Sequence, residues 1–141
     1  MSTAHLLPVR VYYEDTDAGG IVYHARYLAF AERARTELLR SLGVEQRQLR
    51  DEVDGVFAVR RAVTEFLRPA RLDDALFVET RLRYLRGARL GLLQNITRDG
   101  QVLVSLDIEV VFISSDMRPR RLPPWLAARF AEAGYSVAGE A

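Results

Sequence analysis

A single amphipathic helix, followed by strands, is the feature of this sequence that most constrains its fold. Between residues 27 and 42 apolar side chains recur at helical spacing, while Arg33, Glu37 and Arg40 occupy the other side. Gly43 is typical of the position just after a helix. One helix cannot bury such a stripe alone, so another layer must cover it. The apolar set is Tyr27, Leu28, Phe30, Ala31, Ala34, Leu38, Leu39 and Leu42.

Strand patterns on both sides of this helix supply the covering layer. The alternation is clearest near the C-terminus, where every second residue from 102 to 112 is apolar. Asp99-Gly100 is typical of a two-residue hairpin turn. The sequence therefore predicts an α+β fold in which a curved antiparallel sheet of five strands wraps around one long central helix. The predicted strands are residues 9–13, 53–67, 76–85, 89–99 and 101–114, and a closing helix is predicted for residues 123–133.

The outward faces of these strands are not wholly polar. Phe77, Leu93, Leu103 and Val111 lie among the polar positions of the alternating pattern. Apolar residues on an outer sheet face favour coverage by a second subunit. We therefore expect an oligomer.

Length and composition exclude several classes of function. The 141 residues fit one domain, residues 1–141. The chain has no cysteine, which excludes thiol nucleophiles, disulfides and cysteine-bound zinc. All 20 Lys+Arg residues are arginine, so lysine Schiff bases and lysine-containing phosphate loops are excluded too. A net charge of +1 argues against a general nucleic-acid-binding protein.

The N-terminal sequence MSTAHLLPVRVYY has no basic start, and Pro8 and Arg10 interrupt its apolar run. No apolar stretch approaches the roughly 20 residues that span a bilayer. We expect no transmembrane segment and a cytoplasmic location.

The stretch YYEDTDAGGIVYHARY, residues 12–27, concentrates acidic residues between aromatic and branched apolar ones. It leads from the first strand into the helix through Gly19-Gly20. Main-chain N–H groups at a helix start lack intrahelical partners and favour negative charge, as on the oxyanion of a reacting thioester or ester. Asp17 could attack such a carbonyl or deprotonate a water that attacks it. The pattern indicates an acyl-transfer site.

Simpler roles remain open for each of these residues. Asp15 or Asp17 could cap the helix, which stabilises it by about 1 kcal/mol, and His24 could be an ordinary hydrogen-bonding residue. Asp-Thr-Asp also resembles metal-binding and phosphoaspartate motifs, but the lysine that a phosphoaspartate site uses is absent. We expect no bound metal.

The whole string VYYEDTDAGGIVYHARYLAFAERARTELLRSLG resembles the start of the hotdog-fold acyl-CoA thioesterases of the 4-hydroxybenzoyl-CoA thioesterase-like family. It looks closest to the YbgC branch, which is associated with the bacterial Tol-Pal system. The resemblance continues in FAVRRAVTEFLRPARLDDAL, YLRGARL and MRPRRLP, so it extends from about Val9 to Leu122. It implies the hotdog fold, dimers that pair into homotetramers, and active sites at subunit interfaces.

The resemblance also implies roles for individual residues. Asp17 matches the catalytic aspartate of the family and His24 matches the histidine of the branch. The implied reaction hydrolyses acyl-CoA without a cofactor, since coenzyme A is part of the substrate. Where this chain has Arg89, relatives often have a small hydroxyl residue. The implied oxyanion donors are the N–H groups of Gly20, Val22 and His24, and the implied substrate-binding residues are Tyr13, Ile21, Tyr27, Arg86, Arg89, Arg120 and Arg121.

Two other functions fit the same fold. One is a binding module for an acyl carrier protein or the cell envelope, with little turnover. The other is a hotdog dehydratase, which would need a histidine and an acid in one site. Because His5 lies in a segment that we expect to be frayed, the dehydratase is the more remote alternative.

Overall fold

Five strands form one antiparallel sheet in the computed structural model, which describes residues 3–137. The strands are β1 (His5–Arg10), β2 (Val56–Phe66), β3 (Ala75–Arg86), β4 (Arg89–Arg98) and β5 (Gln101–Ile113). Their order across the sheet is β1-β3-β4-β5-β2, so β1 and β2 are the two edges. The helices are α1 (His24–Ser41), α2 (Gln46–Gln48) and α3 (Pro124–Glu132), with a 3-10 turn at Tyr13–Asp15 and a π-helical turn at Leu49–Val53.

The long helix α1 packs on the β1, β3 and β4 side of this sheet. The apolar stripe predicted from the sequence faces the core, where Phe30, Ala31 and Ala34 are fully buried. Each large apolar side chain buried in this way contributes about 1.5–3 kcal/mol. Leu28 is the exception, since it is 41% exposed and lies off the stripe. The α+β architecture with one long central helix is confirmed.

The predicted boundaries are confirmed to within a few residues at most elements. The Asp99-Gly100 turn joins β4 to β5, and both residues have the positive φ that this hairpin requires. β2 begins later than expected, at Val56, because the chain makes a π-helical turn before the strand. Within residues 3–137 no helix is long and apolar enough to cross a membrane.

The expectation of a frayed segment at His5 is wrong. His5 begins β1 and pairs with Thr80 of β3. The strand ends at Arg10, before the tyrosines that were expected to belong to it. Pairing with β3 tolerates Pro8 because β1 is an edge strand, where a missing N–H need not face a neighbour.

The side chain of His5 is a partly buried titratable group. Its Nδ1 atom is buried and has no hydrogen-bond partner among the described residues. Burial lowers the pKa of this imidazole below its ordinary value, and the nearby Glu37 carboxylate opposes the shift only in part. The folded protein therefore holds His5 in its neutral form.

We predict that the free energy of unfolding falls as the pH drops below about 6.5, the ordinary histidine pKa. In this window the unfolded chain binds a proton at His5 that the folded chain does not, so acid favours unfolding. Urea unfolding of the wild type and of His5→Gln between pH 7.5 and 5.5 measures the effect. The wild type should lose more stability than the variant, and equal losses would contradict the prediction.

Candidate active site

A buried ion pair anchors the segment that connects β1 to α1. Asp15 is 3% exposed and accepts hydrogen bonds from the main-chain N–H of Tyr12, at 2.8 Å, and from Nε of Arg26, at 2.9 Å. The main-chain carbonyl of Asp15 also accepts the N–H of Tyr23, which caps α1. Asp15 thus ties the 3-10 turn to the first turn of the helix.

Asp17 lies in a tight turn that follows this anchor. Its N–H donates to the carbonyl of Ile21 at 2.9 Å, and its own carbonyl accepts the N–H of Gly20 at 3.1 Å. The N–H of Gly19 donates to Oδ1 of Asp17 at 2.8 Å. A Cβ atom on Gly19 would lie 3.2 Å from that oxygen, and Gly20 has a φ of +81°, so both glycines suit the turn. The turn holds one carboxylate oxygen of Asp17 and leaves the other for chemistry.

Asp17 and the start of α1 line one pocket of about 350 Å³. The pocket brings together four more of the residues named from the sequence: Ile21, Val22, His24 and Tyr27. Its opposite wall comes from residues 66–69, at the end of β2 and in the loop that follows. The ring of His24 lies 4.4 Å from that of Tyr23 and 6.4 Å from that of Phe66, measured between centroids. The predicted cluster around Asp17 is therefore assembled by the fold.

The N–H groups expected to polarise a carbonyl are not equivalent. Gly20 donates its N–H to Asp17, and Val22 donates its N–H to the carbonyl of Ala70 at 2.8 Å. Both are used inside the protein, which corrects the expectation that they serve as oxyanion donors. His24 is the first residue of α1, where the N–H lacks an intrahelical acceptor. Within residues 3–137 only the His24 N–H of these three has no acceptor, and His24 lines the pocket.

Neither Asp15 nor Asp17 caps α1 with its side chain. The capping position belongs to Tyr23, which makes no side-chain capping bond. Asp15 instead closes the capping box of the 3-10 turn with the N–H of Tyr12. The helix therefore starts without a carboxylate cap, so its positive end remains open to a ligand.

The loop after β2 forms a wall of the pocket that the sequence reasoning missed. The hydroxyl of Tyr27 accepts the N–H of Ala70 at 3.0 Å, and burial raises the pKa of this phenol, so it stays neutral. Asp74 accepts hydrogen bonds from Arg98, at 2.6 Å, and from the N–H of Arg71, at 2.8 Å. These contacts lower the pKa of Asp74 although burial alone would raise it. The sequence signal for this loop was Pro69-Ala70. It predicts a turn, but it does not indicate that the turn lines a pocket.

Other predicted substrate-binding residues lie elsewhere. Tyr13 is 83% exposed in the 3-10 turn and does not line the pocket. Arg86 and Arg89 flank the β3–β4 turn and line a separate cavity that also contains Arg60. Arg120 donates to the carbonyls of Val53 and Asp54, and Arg121 is exposed nearby in sequence.

This arginine cluster lies at the opposite end of the sheet from Asp17 within one chain. Arg60 and Phe66 are six positions apart on β2, which is about 20 Å of strand. Arg89 pairs with Glu109 at 3.4 Å, and Arg60 pairs with the same carboxylate at 2.9 Å. One subunit therefore does not bring the arginines of the β3–β4 turn to the Asp17 pocket.

Comparison with known proteins identifies the family. Residues 11–130 match the model of the thioesterase-like superfamily. The chain belongs to this superfamily. Its architecture is the hotdog fold predicted from the sequence, and a probable thioesterase from Bartonella henselae with 41% identity matches it at a TM-score of 0.83, over 86% of this chain and 100% of that one.

Two members of the superfamily that are similar to this chain in sequence have named acyl-CoA activities. The acyl-CoA thioester hydrolase YbgC of Escherichia coli is 46% identical over 128 residues, which covers 89% of this chain and 94% of that protein. The acyl-CoA thioesterase YbgC of Haemophilus influenzae is 44% identical over 124 residues, which covers 87% of this chain and 91% of that protein. The resemblance to the YbgC branch is confirmed.

We predict that Arg26→Gln destabilises the protein by about 2 kcal/mol, because it leaves the buried Asp15 carboxylate with the Tyr12 N–H alone. This value lies below that of a fully buried pair because the Arg26 side chain is 34% exposed. Arg50→Gln is the control, since its pair with Asp51 is exposed on both sides and should change stability by less than about 0.5 kcal/mol. Urea unfolding measures both, and equal effects would show that the Asp15 anchor is dispensable.

Proposed function

We propose that the protein hydrolyses acyl-CoA thioesters to a free acid and coenzyme A, with Asp17 as the reacting carboxylate. The observation that carries this proposal is the placement of Asp17 and the open N-terminus of α1 on one pocket. Membership in the thioesterase-like superfamily and the acyl-CoA activity named for its YbgC relatives support it. The reaction needs no cofactor because every reacting group belongs to the substrate, to the chain or to water.

The geometry suits two routes through Asp17. In one, Asp17 takes a proton from water as the water oxygen attacks the thioester carbonyl carbon. In the other, Asp17 attacks that carbon itself, and water then cleaves the resulting anhydride. Both routes place negative charge on the carbonyl oxygen, which the N–H of His24 stabilises together with the helix dipole. Breaking the C–S bond releases the thiolate of coenzyme A, which then takes up a proton.

The imidazole of His24 has a secondary role in this proposal. Within residues 3–137 no hydrogen bond joins it to Asp17, and its ring packs between Tyr23 and Phe66. We therefore assign to it the shaping of the pocket and contact with the thioester, while its main-chain N–H does the polarising. Removing the ring should reduce turnover less than removing the Asp17 carboxylate.

We predict that Asp17→Asn lowers kcat for acyl-CoA hydrolysis by at least about 100-fold, the usual contribution of a positioned acid-base group. Asn keeps the hydrogen bond from Gly19 through its amide oxygen, so the turn should persist. Glu14→Gln is the matched control, because Glu14 is an exposed acid in the same segment and does not line the pocket. Steady-state hydrolysis of short, long and aromatic acyl-CoA compounds measures all three proteins.

A folded Asp17→Asn protein with normal turnover would overturn the mechanism. Negligible hydrolysis of every acyl-CoA by the wild type, together with capture of an acyl carrier protein, would support the binding-module alternative instead. The first outcome concerns Asp17 alone, whereas the second concerns the whole reaction.

We also propose that two copies pair through β2. This edge strand has 11 residues, and Val59, Val63 and Phe66 on it are each about half exposed. A long edge with exposed apolar residues is a template for pairing with another chain. β1, the other edge, has 6 residues and contains Pro8.

Antiparallel pairing about the middle of β2 would complete the site. With Arg61 on the two-fold axis, Phe66 of one copy lies opposite Val56 of the other. Val56 also pairs with Ile113, which lines the cavity of Arg86 and Arg89. The Asp17 pocket of one copy then lies at the same end of the joint sheet as the arginine cluster of its neighbour. We propose that Arg86, Arg89, Arg120 and Arg121 bind the coenzyme A phosphates there.

We predict that the double variant Val59→Lys and Val63→Lys is a folded monomer with at least about tenfold lower kcat/KM. The register shift of β2 between Val59 and Arg61 puts these two side chains on opposite faces of the strand, so the new lysines add positive charge on both faces of the interface, near Arg61 of the other copy, and the two copies repel each other. Leu6→Lys on β1 is the control, since Leu6 is 55% exposed on the other edge. Light scattering after size-exclusion chromatography measures the assembly, and an unchanged oligomer in the double variant would contradict the pairing.

Three finer expectations stay predictions: the pairing of dimers into a homotetramer, the cytoplasmic location and the association with the Tol-Pal system. Phe77, which is 44% exposed on the outer face of the sheet, supports further contact between dimers. The other two rest on the sequence and on the resemblance to the YbgC branch alone.

A further inference from the structure

A second cavity, of about 230 Å³, lies between α1 and the β4, β5 and β2 part of the sheet. It is separate from the Asp17 pocket, since the two share no lining residue. Eight of its twelve lining residues are apolar, and its polar residues come from α1 and α2. The apolar residues are Leu38, Leu39, Phe57, Val59, Leu90, Leu92, Val110 and Phe130.

A fixed arginine supplies the main positive charge of this cavity. Arg35 donates from Nη1 to Oε1 of Gln94 at 3.0 Å. Gln94 is fully buried, and its Nε2 donates to the carbonyl of Ala31 at 2.9 Å and to Oγ1 of Thr80 at 3.1 Å. Because both amide protons of Gln94 are used, its oxygen can only face Arg35. A buried network thus holds the guanidinium in place.

Most of the donor capacity of Arg35 remains for a ligand. A guanidinium has five N–H donors, and the network uses one atom of Arg35. Within residues 3–137 no carboxylate lies within ion-pair distance of it. Arg35 is partly buried, which limits its contact with water, and this burial lowers the pKa of its guanidinium. A poorly solvated cation with spare donors favours an anionic partner, above all a carboxylate.

Glu32 is the acidic group on the same cavity. It lies one helical turn before Arg35, and its field favours the charged form of the arginine. Glu32 is exposed to solvent, so water and salt screen its charge, whereas Arg35 is partly buried. Because the charge of Glu32 is screened more strongly than that of Arg35, the cavity favours a negatively charged group.

We propose that this cavity binds the far end of the acyl group and that Arg35 recognises a carboxylate there. The preferred substrates are then short thioesters whose acyl chain ends in a second carboxylate. A volume of about 230 Å³ is below the roughly 300–1,000 Å³ of sites for drug-sized ligands, which suits a short chain. This inference rests on the proposed thioesterase function and names the class of substrate for the same site.

The β2 pairing explains how the two cavities cooperate. Along one α1, His24 and Arg35 are 11 positions apart, or about 16 Å. In the paired assembly Phe66, on the Asp17 pocket of one copy, lies beside Val56 of the other, next in sequence to Phe57 on the Arg35 cavity. The acyl group attached at one copy thus extends into the cavity of its neighbour.

Binding without turnover tests the cavity directly. We expect hexanoate to bind the wild type and to bind Arg35→Gln at least about tenfold more weakly. Hexanol, which has the same chain without the charge, should bind both proteins alike. Glu32→Gln should tighten hexanoate and leave hexanol unchanged, because it removes a like charge. Arg33→Gln is the control for an exposed arginine on the same helix, and Arg35→Lys, which keeps the charge, should recover part of the binding. Calorimetric titration measures each protein.

Kinetics test the link to the reaction. The wild type should hydrolyse adipoyl-CoA with a higher kcat/KM than hexanoyl-CoA, and Arg35→Gln should reverse or abolish this preference while it retains hydrolysis of hexanoyl-CoA.

Each negative result has a separate meaning. No binding of hexanoate, or equal binding by Arg35→Gln, would overturn the carboxylate site, and dissociation of the oligomer in Arg35→Gln would show that Arg35 contacts a neighbouring copy instead. Hexanoate binding without an adipoyl preference would overturn the assignment to the acyl group. Normal turnover by Asp17→Asn would contradict the proposed mechanism alone, because the hexanoate titration does not depend on Asp17.

Discussion

The packing of α1 against only part of the sheet is the constraint on which the rest of this structure depends. The stripe of α1 is buried on β1, β3 and β4, so the β2 edge of the same face is left less covered. A helix placed off centre leaves space beside it, and both the Arg35 cavity and the exposed β2 edge lie on that side. The Arg35 cavity and the exposed β2 edge are therefore consequences of one packing arrangement. No other structural feature is needed to explain either of them.

The segment before α1 shows how two acids of similar sequence context are given different tasks. Asp15 is buried and uses both carboxylate oxygens on Tyr12 and Arg26, so it cannot serve a substrate. Asp17 is exposed on the pocket and uses one oxygen on Gly19. The buried acid anchors the segment that places the exposed acid on the pocket, where we propose that it reacts. Their separation by one residue places the two side chains in different environments because Asp15 ends the 3-10 turn and Asp17 begins the next one.

The sequence predicted the elements well because each carries its own pattern. The α1 stripe, the alternation of β5 and the Asp99-Gly100 turn depend on local spacing, which a single sequence displays. Leu28 and His5 were misjudged for another reason: their burial is set by β-strand pairing and helix rotation that local spacing does not contain. The same limit applies to the oxyanion donors, since the acceptor of the Val22 N–H is Ala70, which lies 48 positions away in the chain. Long-range hydrogen bonds decide which N–H groups stay available.

The separation of Asp17 from the arginine cluster gives a chemical reason for the dimer that we propose. A thioester of coenzyme A has a reacting carbonyl, an acyl end and a phosphorylated end, and one subunit places the groups that we propose for these at different ends of its sheet. A two-fold pairing reverses the direction of the sheet, so the ends that are far apart in one chain become neighbours across the interface. A long, apolar and exposed β2 would be a hazard in a monomer. In the dimer that we propose, the same edge would bring the Asp17 pocket of one copy to the arginine cluster of the other, and the exposure of β2 in one chain supports that proposal.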